Sequence, residues 1–472
     1  MDPIKTEVVV LGAGPGGYAA AFYAADLGKK VILVEADKLG GVCLNRGCIP
    51  SKALLHATEL INEAKHAAAL GITFQPPVVD LAKMRAWKDS VVAKNSGGIA
   101  ALAKMRGVTV ITGKGYFESS SILRVETSEG QQRVQFDKAI IAIGSRPALP
   151  KSFDLGNPRV MTSTEALNVE EIPENLLVIG GGYIGMELGT VYSNLGSKVT
   201  VIEALDSILM GADPDLARPV LTLATKNFKE LRFKAKVGKM ATKGKQIQVV
   251  SEFNGKTYDE LFDRVLVSVG RTPNSADVGL ENTKVELDEK GFIKVNDRME
   301  TADANILAVG DIAGGIMLAH KASKEARVAV ESIVGEPLAS KNCFIPAVVF
   351  TDPEVAWVGL TETEAKARGI EVKVAKFPWA ASGRAMTFDR TDGLTKLIIE
   401  PGTDKLLGVG IVGHGAGELI AEGAVALEMG ANAKDIALTV HPHPTLSETI
   451  MEAAEVYYGH SAHFFTKKPA AH

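Results

Sequence analysis

The sequence predicts an α/β protein: two Rossmann-like domains, then a C-terminal α+β domain. Three observations predict it. A strand–glycine–helix–strand pattern occurs twice. Each copy is matched by a later apolar strand closed by Gly-x-x-Pro. After about residue 346 the βαβ rhythm gives way to short strand-like runs and one strong helical pattern.

The first copy opens with Val8-Val9-Val10-Leu11, an apolar run. Gly12-Ala13-Gly14-Pro15-Gly16-Gly17 and a helical pattern follow, then Val31-Ile32-Leu33-Val34 ending in Glu35. The second copy reads Leu176-Leu177-Val178-Ile179, then Gly180-Gly181-Gly182-Tyr183-Ile184-Gly185 and a helix. Its second strand, Val199-Thr200-Val201-Ile202, ends in Glu203. The return strands are 139–143, closed by Gly144-Ser145-Arg146-Pro147, and 265–269, closed by Gly270-Arg271-Thr272-Pro273. A further buried strand, Ile306-Leu307-Ala308-Val309, stops at Gly310-Asp311. Past 346, runs 348–350, 355–358 and 406–412 are expected strands, and 418–429 a helix. The expected domains are 1–148, 149–275, a central segment 276–345, and 346–472. The tail after Gly459 is expected to be extended and partly disordered.

The chain has 472 residues, which suggests about three domains. Hydrophobic residues make up 46%, enough for sizeable cores. Lys and Arg number 52 against 56 Asp and Glu, a net charge of -4, which argues against a nucleic-acid binder. Glycine is in excess, at 47 residues against the usual ~7%. Residues 8–25 carry no charge, but their glycines and Pro15 make them strand, turn and helix rather than a membrane span. No basic leader precedes them, so a soluble protein of a reducing compartment is expected. The bacterial cytoplasm is the first expectation, with the mitochondrial matrix open if a leader has been removed.

Gly12-x-Gly14-x-x-Gly17 follows a strand and opens a helix. The first glycine permits the turn, the second lets backbone approach a pyrophosphate, and the third lets helix pack on strand. Phosphates favour the helix N-terminus, where N–H groups are unpaired and the dipole is positive. Glu35 stands where a carboxylate accepts from a ribose 2′-OH. Gly180, Gly182, Gly185 and Glu203 repeat the arrangement. A carboxylate at Glu203 would repel a 2′-phosphate, so this second site is expected to prefer NAD over NADP. Two dinucleotide sites imply two cofactors that exchange electrons, usually a flavin and a nicotinamide.

The three cysteines are too few for a secreted disulfide framework. Cys43 and Cys48 are five apart. In a regular helix that spacing puts their Cα atoms ~8.7 Å apart, beyond the roughly 4.4–6.8 Å of a disulfide. A bridge therefore needs an irregular turn, which Gly47 can supply, and such a bridge suits a redox dithiol. Two separate core thiols, or half a metal site, are the alternatives. No ligand-spaced partner lies nearby, so no metal is expected. Cys343 is read as a structural thiol. Lys52, four past Cys48, could lower a thiol pKa or pair with an anionic cofactor. Near the C-terminus, His441-Pro442-His443-Pro444-Thr445-Leu446-Ser447-Glu448 offers a base held by a carboxylate. Spacing does not choose between His441 and His443.

The assembled pattern resembles the flavin-dependent pyridine nucleotide–disulfide oxidoreductases over essentially the whole chain. Within that family it is most similar to the members that reoxidise dihydrolipoamide. The segment from Gly40 to Lys52 resembles their redox box, and His443-Pro444-Thr445-Leu446-Ser447-Glu448 their base motif, which singles out His443. The resemblance implies FAD on Gly12, Gly14, Gly17, Glu35, Lys52, Gly115, Asp311 and Ala319. It implies NAD on Gly180, Gly182, Gly185, Glu187, Glu203, Val237 and Gly270. Lys52 is expected to pair with Glu187 and stabilise the reduced flavin. Cys43, Cys48, His443 and Glu448 are the implied catalytic residues. Segment 276–345 would complete the FAD site and 346–472 would dimerise. The implied assembly is a homodimer, with the His443–Glu448 pair of one subunit facing the cysteines of the other. The implied partners are lipoyl groups of a 2-oxo acid dehydrogenase or glycine cleavage complex. Arg46 and Pro442 depart from the usual pattern without removing a reacting group. Glu203 opposes a glutathione reductase, and the lack of a C-terminal cysteine pair opposes a mercuric reductase. A flavoprotein scaffold without turnover is the rival from another class, disfavoured by the intact reacting groups.

Overall fold

A computed structural model describes residues 2–335 and 343–465. The chain divides into two compact units. The first comprises residues 1–150, 161–171 and 269–342; the second comprises 151–160, 172–268 and 343–472. Among the described residues no helix is long and apolar enough to cross a membrane.

The first unit is built on β1 (Ile4–Leu11), α1 (Pro15–Asp26), β2 (Val31–Glu35), α2 (Gly41–Arg46), α3 (Cys48–His66), α4 (Leu81–Met105), β3 (Thr109–Thr112), β4 (Lys114–Ser119), β5 (Ile122–Thr127) and β6 (Gly130–Ile141). The sheet order is β3-β2-β1-β6-β5-β4, and the strand Ile306–Ala308 adds to β6. Strands β1, β2, β3, β6 and Ile306–Ala308 run parallel. Val8, Val9 and Val10 are buried, which explains their unbroken apolar run: both faces of the sheet are covered. Helix α1 buries Gly16, Gly17, Ala20, Ala21 and Ala24, so a row of small residues lets it lie close to the sheet. Leu11, Ile141 and Ala308 are register neighbours, so the residues after them share one edge. The two Gly-x-x-Pro segments, read as parallel features of two repeats, pair with each other. Ser145–Pro147 and Arg271–Pro273 form a small antiparallel sheet.

The second unit holds a parallel sheet of Glu230–Arg232, Lys198–Ile202, Asn175–Ile179 and Arg264–Val267. An antiparallel sheet of Lys236–Lys243, Gln246–Phe253 and Lys256–Phe262 follows in sequence. The third sheet is antiparallel, ordered Ala347–Val349, Glu354–Gly359, Leu406–Gly413, Leu394–Ile399, Lys373–Pro378. Helices Ala416–Glu428, Ala433–Leu438 and Glu448–Tyr458 contribute to its core, around the buried Trp379.

Within this unit a charged knot ties the parallel sheet's segment to the C-terminal sheet. Lys396 is buried and lies 2.6 Å from Asp213, 2.8 Å from Asp215 and 3.2 Å from Glu362. The three carboxylates lie within ligand distance of one another. Lys396 and Lys376 offset two of the three negative charges. Asp213 also accepts the N–H groups of Glu362 and Thr363, at 2.9 and 2.8 Å. Burial alone would raise the Asp213 carboxyl, but Lys396, the Thr363 hydroxyl and these N–H groups hold it below its ordinary value. Its contribution is therefore complete above the ordinary carboxylate value of about 3.9. It is lost as pH falls through the depressed folded value. Lys396→Met leaves Asp213 buried and unpaired, and the expected cost is ~3–5 kcal/mol by urea unfolding at neutral pH. The gap from wild type should narrow as the pH is lowered below 4.

Candidate active site

The two glycine turns are alike atom by atom. Gly12 and Gly180 have φ of +97° and +107°, where a β-carbon is strained. A Cβ would lie 2.5 Å from the carbonyl oxygen of Ala142 at the first position and of Ser268 at the second. At Gly17 and Gly185 a Cβ would overlap the carbonyl oxygens of Gly12 and Gly180. The middle glycines differ. Gly14 and Gly182 are the extended N-caps of α1 and of helix Tyr183–Asn194, and a Cβ there meets little or nothing. The room that remains is at a helix N-terminus, where a pyrophosphate fits. The acids also correspond. Glu35 accepts from Ala13 N–H at 2.7 Å and Asp37 N–H at 2.9 Å. Glu203 accepts from Gly181 N–H at 2.6 Å and Leu205 N–H at 2.8 Å. Each carboxylate is thus fixed in orientation and keeps lone pairs for a ribose hydroxyl.

Other positions separate by unit. Asp311 lies in the turn Gly310–Ala313 and accepts from Ser145 Oγ, with Arg271 Nε 3.7 Å away. Arg271 donates to Ser145 Oγ and to its carbonyl, both at 2.7 Å. Sequence reasoning missed this Ser145–Arg271–Asp311 cluster, although the matched Gly-x-x-Pro segments carry two of its members. Ala319 opens the helix Ala319–Val334. Gly115 lies on β4, and a Cβ there would overlap Leu11. That packing is reason enough for a glycine. Gly270, at φ +123°, belongs to the first unit, and the other NAD candidates belong to the second. Val237 lies beside a bulge in its strand. Glu187 is buried and accepts from Phe350 N–H at 3.0 Å.

Cys43 and Cys48 form a disulfide with Cα atoms 4.7 Å apart. The helix breaks between them. Cys43 lies in α2, Gly47 is the break, and Cys48 is the first residue of the 19-residue α3. A Cβ on Gly47 would crowd Val42 O at 3.1 Å and Cys43 Cα at 3.2 Å, so glycine lets the two segments meet. A Cβ on Gly41 would lie 2.5 Å from Gly14 Cα, so the disulfide segment sits directly against the first glycine turn. Asn45 fixes the approach by donating to Leu39 and Gly41 carbonyls at 3.0 and 2.9 Å. Lys52 follows one turn later on α3. Arg46 pairs with Asp37 at the surface. Cys48 is exposed and Cys43 half-buried.

The histidines separate by exposure. The His441 side chain is 5% exposed, with Nδ1 against Thr439 O at 2.9 Å and Nε2 against Glu422 at 2.7 Å. Both its nitrogens are engaged. The His443 side chain is 72% exposed, and among the described residues only Nδ1 is engaged, by Glu448 Oε1 at 2.9 Å. The other Glu448 oxygen accepts from Thr445 N–H at 2.7 Å. Burial would raise the Glu448 carboxyl, but the Thr445 N–H and the His443 ring hold it below its ordinary value. Its place in the first turn of helix Glu448–Tyr458 also favours negative charge. One turn on, Glu452 pairs with His463 and accepts from Ser461 Oγ at 2.6 Å, tying down the segment after Gly459. That contact was not foreseen; glutamates at i and i+4 beside later histidines were its signal.

Residues 6–326 match the pyridine nucleotide-disulphide oxidoreductase family, and residues 345–454 match that family's dimerisation domain. The chain belongs to this family. Among pyridine nucleotide–disulphide oxidoreductases, it is 48% identical over 458 residues to a dihydrolipoyl dehydrogenase of Vibrio parahaemolyticus, covering 97% of this chain and 96% of the relative. A dihydrolipoyl dehydrogenase of Geobacillus stearothermophilus is 46% identical over 464 residues, 98% of each chain. The solved LpdA of Mycobacterium tuberculosis superposes with TM-score 0.89 at 27% identity, covering 95% of this chain and 99% of that one. The HOCl-induced flavoprotein disulfide reductase RclA of Escherichia coli superposes at 0.86 with 28% identity, covering 97% and 100%.

The glycine geometry separates two variants. Gly12→Ala should destabilise the apoprotein by ~1–3 kcal/mol from strain at its positive φ, and more where the Ala142 contact cannot relax. Gly14→Ala should leave the apoprotein's urea midpoint near wild type while weakening dinucleotide binding, read by titration. Equal midpoints for the two would show that the close approach costs nothing.

Proposed function

We propose that this chain catalyses the dihydrolipoyl dehydrogenase reaction, passing electrons from dihydrolipoyl groups through the Cys43–Cys48 disulfide and FAD to NAD+. One observation carries the reading: a disulfide across a helix break opens a long helix directly against a strand–glycine–helix turn. The relatives at 46–48% identity over nearly the full chain support the substrate. Residues 1–148 and 276–345 are assigned to FAD, 149–275 to NAD, and 346–472 to the interface of a homodimer.

His443 Nε2 accepts a proton from one substrate thiol, while Glu448 holds the other ring nitrogen in the N–H form. The thiolate attacks Cys43 Sγ, the Cys43–Cys48 bond breaks, and Cys48 leaves as thiolate. The N-terminus of α3 favours that charge, which selects Cys43 as the point of attack. The second substrate thiol then displaces Cys43, closing the lipoyl ring and leaving the enzyme dithiol. FAD supplies the two-electron link from this dithiol to the nicotinamide. It would rest on Gly12, Gly14, Gly17, Glu35, Lys52, Gly115, Asp311 and Ala319. In sum one hydride reaches NAD+ and one proton reaches solvent. Gly180, Gly182, Gly185, Glu187, Val237 and Gly270 would bind NAD, and Glu203 would disfavour a 2′-phosphate. The His443–Glu448 pair is assigned to the cysteines of the other subunit. The partners are lipoyl domains of a 2-oxo acid dehydrogenase or glycine cleavage complex, in the bacterial cytoplasm.

The test is steady-state turnover of dihydrolipoamide by the FAD-loaded protein with NAD+ and with NADP+. Rapid NAD+ reduction and little NADP+ reduction are expected. Flavin-loaded protein that reduces neither would overturn the reading. His443→Gln should lower turnover ~10²–10⁴-fold, the usual share of a general base. Cys48→Ser should abolish dihydrolipoamide turnover while flavin is retained, seen in the absorption spectrum.

A further inference from the structure

Two charged side chains of the first unit take no part in the chemistry described so far. Lys321 and Glu325 lie one turn apart on helix Ala319–Val334 and are 7% and 9% exposed. Lys321 Nζ sits 3.0 Å from Glu325 Oε1. A buried ion pair rarely recovers its desolvation cost through its own attraction, and an apolar pair could hold a helix as well. This pair grips backbone instead. Lys321 donates to the Gly314 carbonyl at 2.6 Å and to the Gly310 carbonyl at 3.4 Å. Glu325 Oε2 accepts from Gly310 N–H at 2.8 Å. Both ends of the turn that carries Asp311 are therefore tied to one helix. The turn needs such a tie. Gly310, Gly314 and Gly315 sit at φ of +80°, +76° and +73°, and glycines hold no conformation by themselves.

The tied turn stands beside the phosphate turn. It follows the strand Ile306–Ala308, whose last residue pairs with Ile141, itself paired with Leu11. A Cβ on Gly16 would lie 3.2 Å from Val309 and 3.3 Å from Ala322. Ser323 Oγ lies 3.5 Å from Pro15 O. Helix Ala319–Val334 and α1 thus begin side by side at the carboxyl edge of the sheet, where open α/β sheets bind ligands.

We propose that the Lys321–Glu325 pair is a positioning device for the flavin dinucleotide. It locks the turn 310–315, and with it Asp311, in the one conformation that completes the cradle begun by Gly12, Gly14 and Gly17. The inference rests on the assignment of FAD to the first unit. It makes the pair a determinant of FAD affinity rather than of folding.

The test removes flavin from the full-length protein and titrates FAD back, following quenching of its fluorescence, alongside urea unfolding of the apoprotein. Lys321→Met should weaken FAD binding at least ~10-fold and lower the urea midpoint, because Glu325 is left buried and unpaired. The double variant Lys321→Met with Glu325→Leu leaves no buried charge. It should recover the midpoint while FAD binding stays weak, and it carries the test if the single variant fails to fold. A double variant that regains wild-type FAD affinity would overturn the proposal, as would unchanged affinity in Lys321→Met. Dihydrolipoamide turnover of the wild-type holoprotein is measured separately. Tight FAD binding without turnover would sink the proposed activity and leave the positioning role standing.

Discussion

Both glycine turns depend on one constraint: the end of the first strand must touch the backbone that follows the return strand. Gly12 meets the Ala142 carbonyl and Gly180 the Ser268 carbonyl at the same hypothetical Cβ distance of 2.5 Å. Once that contact is made, the third glycine tucks beneath the first, the helix starts at a set point, and its N-terminal N–H groups face outward. The acid at the end of the second strand then reaches the turn and is oriented by its N–H groups. The redox segment inherits the same frame, since Gly41 lets α2 begin against Gly14. Glycine turn and disulfide segment are thereby packed backbone to backbone.

What the sequence disclosed follows from what is local. Strand, glycine, helix and acid lie within one βαβ unit, so Gly12, Gly14, Gly17 and Glu35 could be read directly, as could their counterparts from Gly180 to Glu203. For Cys43 and Cys48 the sequence disclosed the condition and not the pairing: a regular helix would hold them too far apart for a bridge, and Gly47 offered a break. Tertiary partners were not legible. Asp311, Ser145 and Arg271 come from three distant segments and meet only through sheet register. Spacing alone did not separate His441 from His443; the family resemblance singled out His443, and the contact that occupies His441 was hidden because Glu422 is 19 residues away. The sheet over 236–262 went unread, since its alternating polar faces give weak signals beside the apolar strands.

Buried charge recurs in this chain as backbone or segment control. Arg232 is buried between Glu230 and Glu260, with its guanidinium 4.3 Å over the Tyr258 ring, fastening a parallel strand to the neighbouring antiparallel sheet. Lys396 gathers carboxylates from two segments, and Lys321 gathers carbonyls from one turn. In each case hydrophobic contact could supply cohesion. Directional partners add a preferred orientation to that cohesion.

The late arrival of the strand Ile306–Ala308 governs how the chain can be made. Its partners on the sheet, Ala139 to Ile141, each leave the ribosome 167 residues before the residue they pair with. At ~5–20 residues per second, translation leaves that edge of β6 unpaired for about 10–30 s. Meanwhile a nascent second βαβ unit of nearly the same pattern emerges, with its own parallel strands seeking neighbours. The first unit must therefore avoid pairing with its sibling during synthesis. The duplication that gives this protein two glycine turns also gives its nascent chain a competitor for its own sheet.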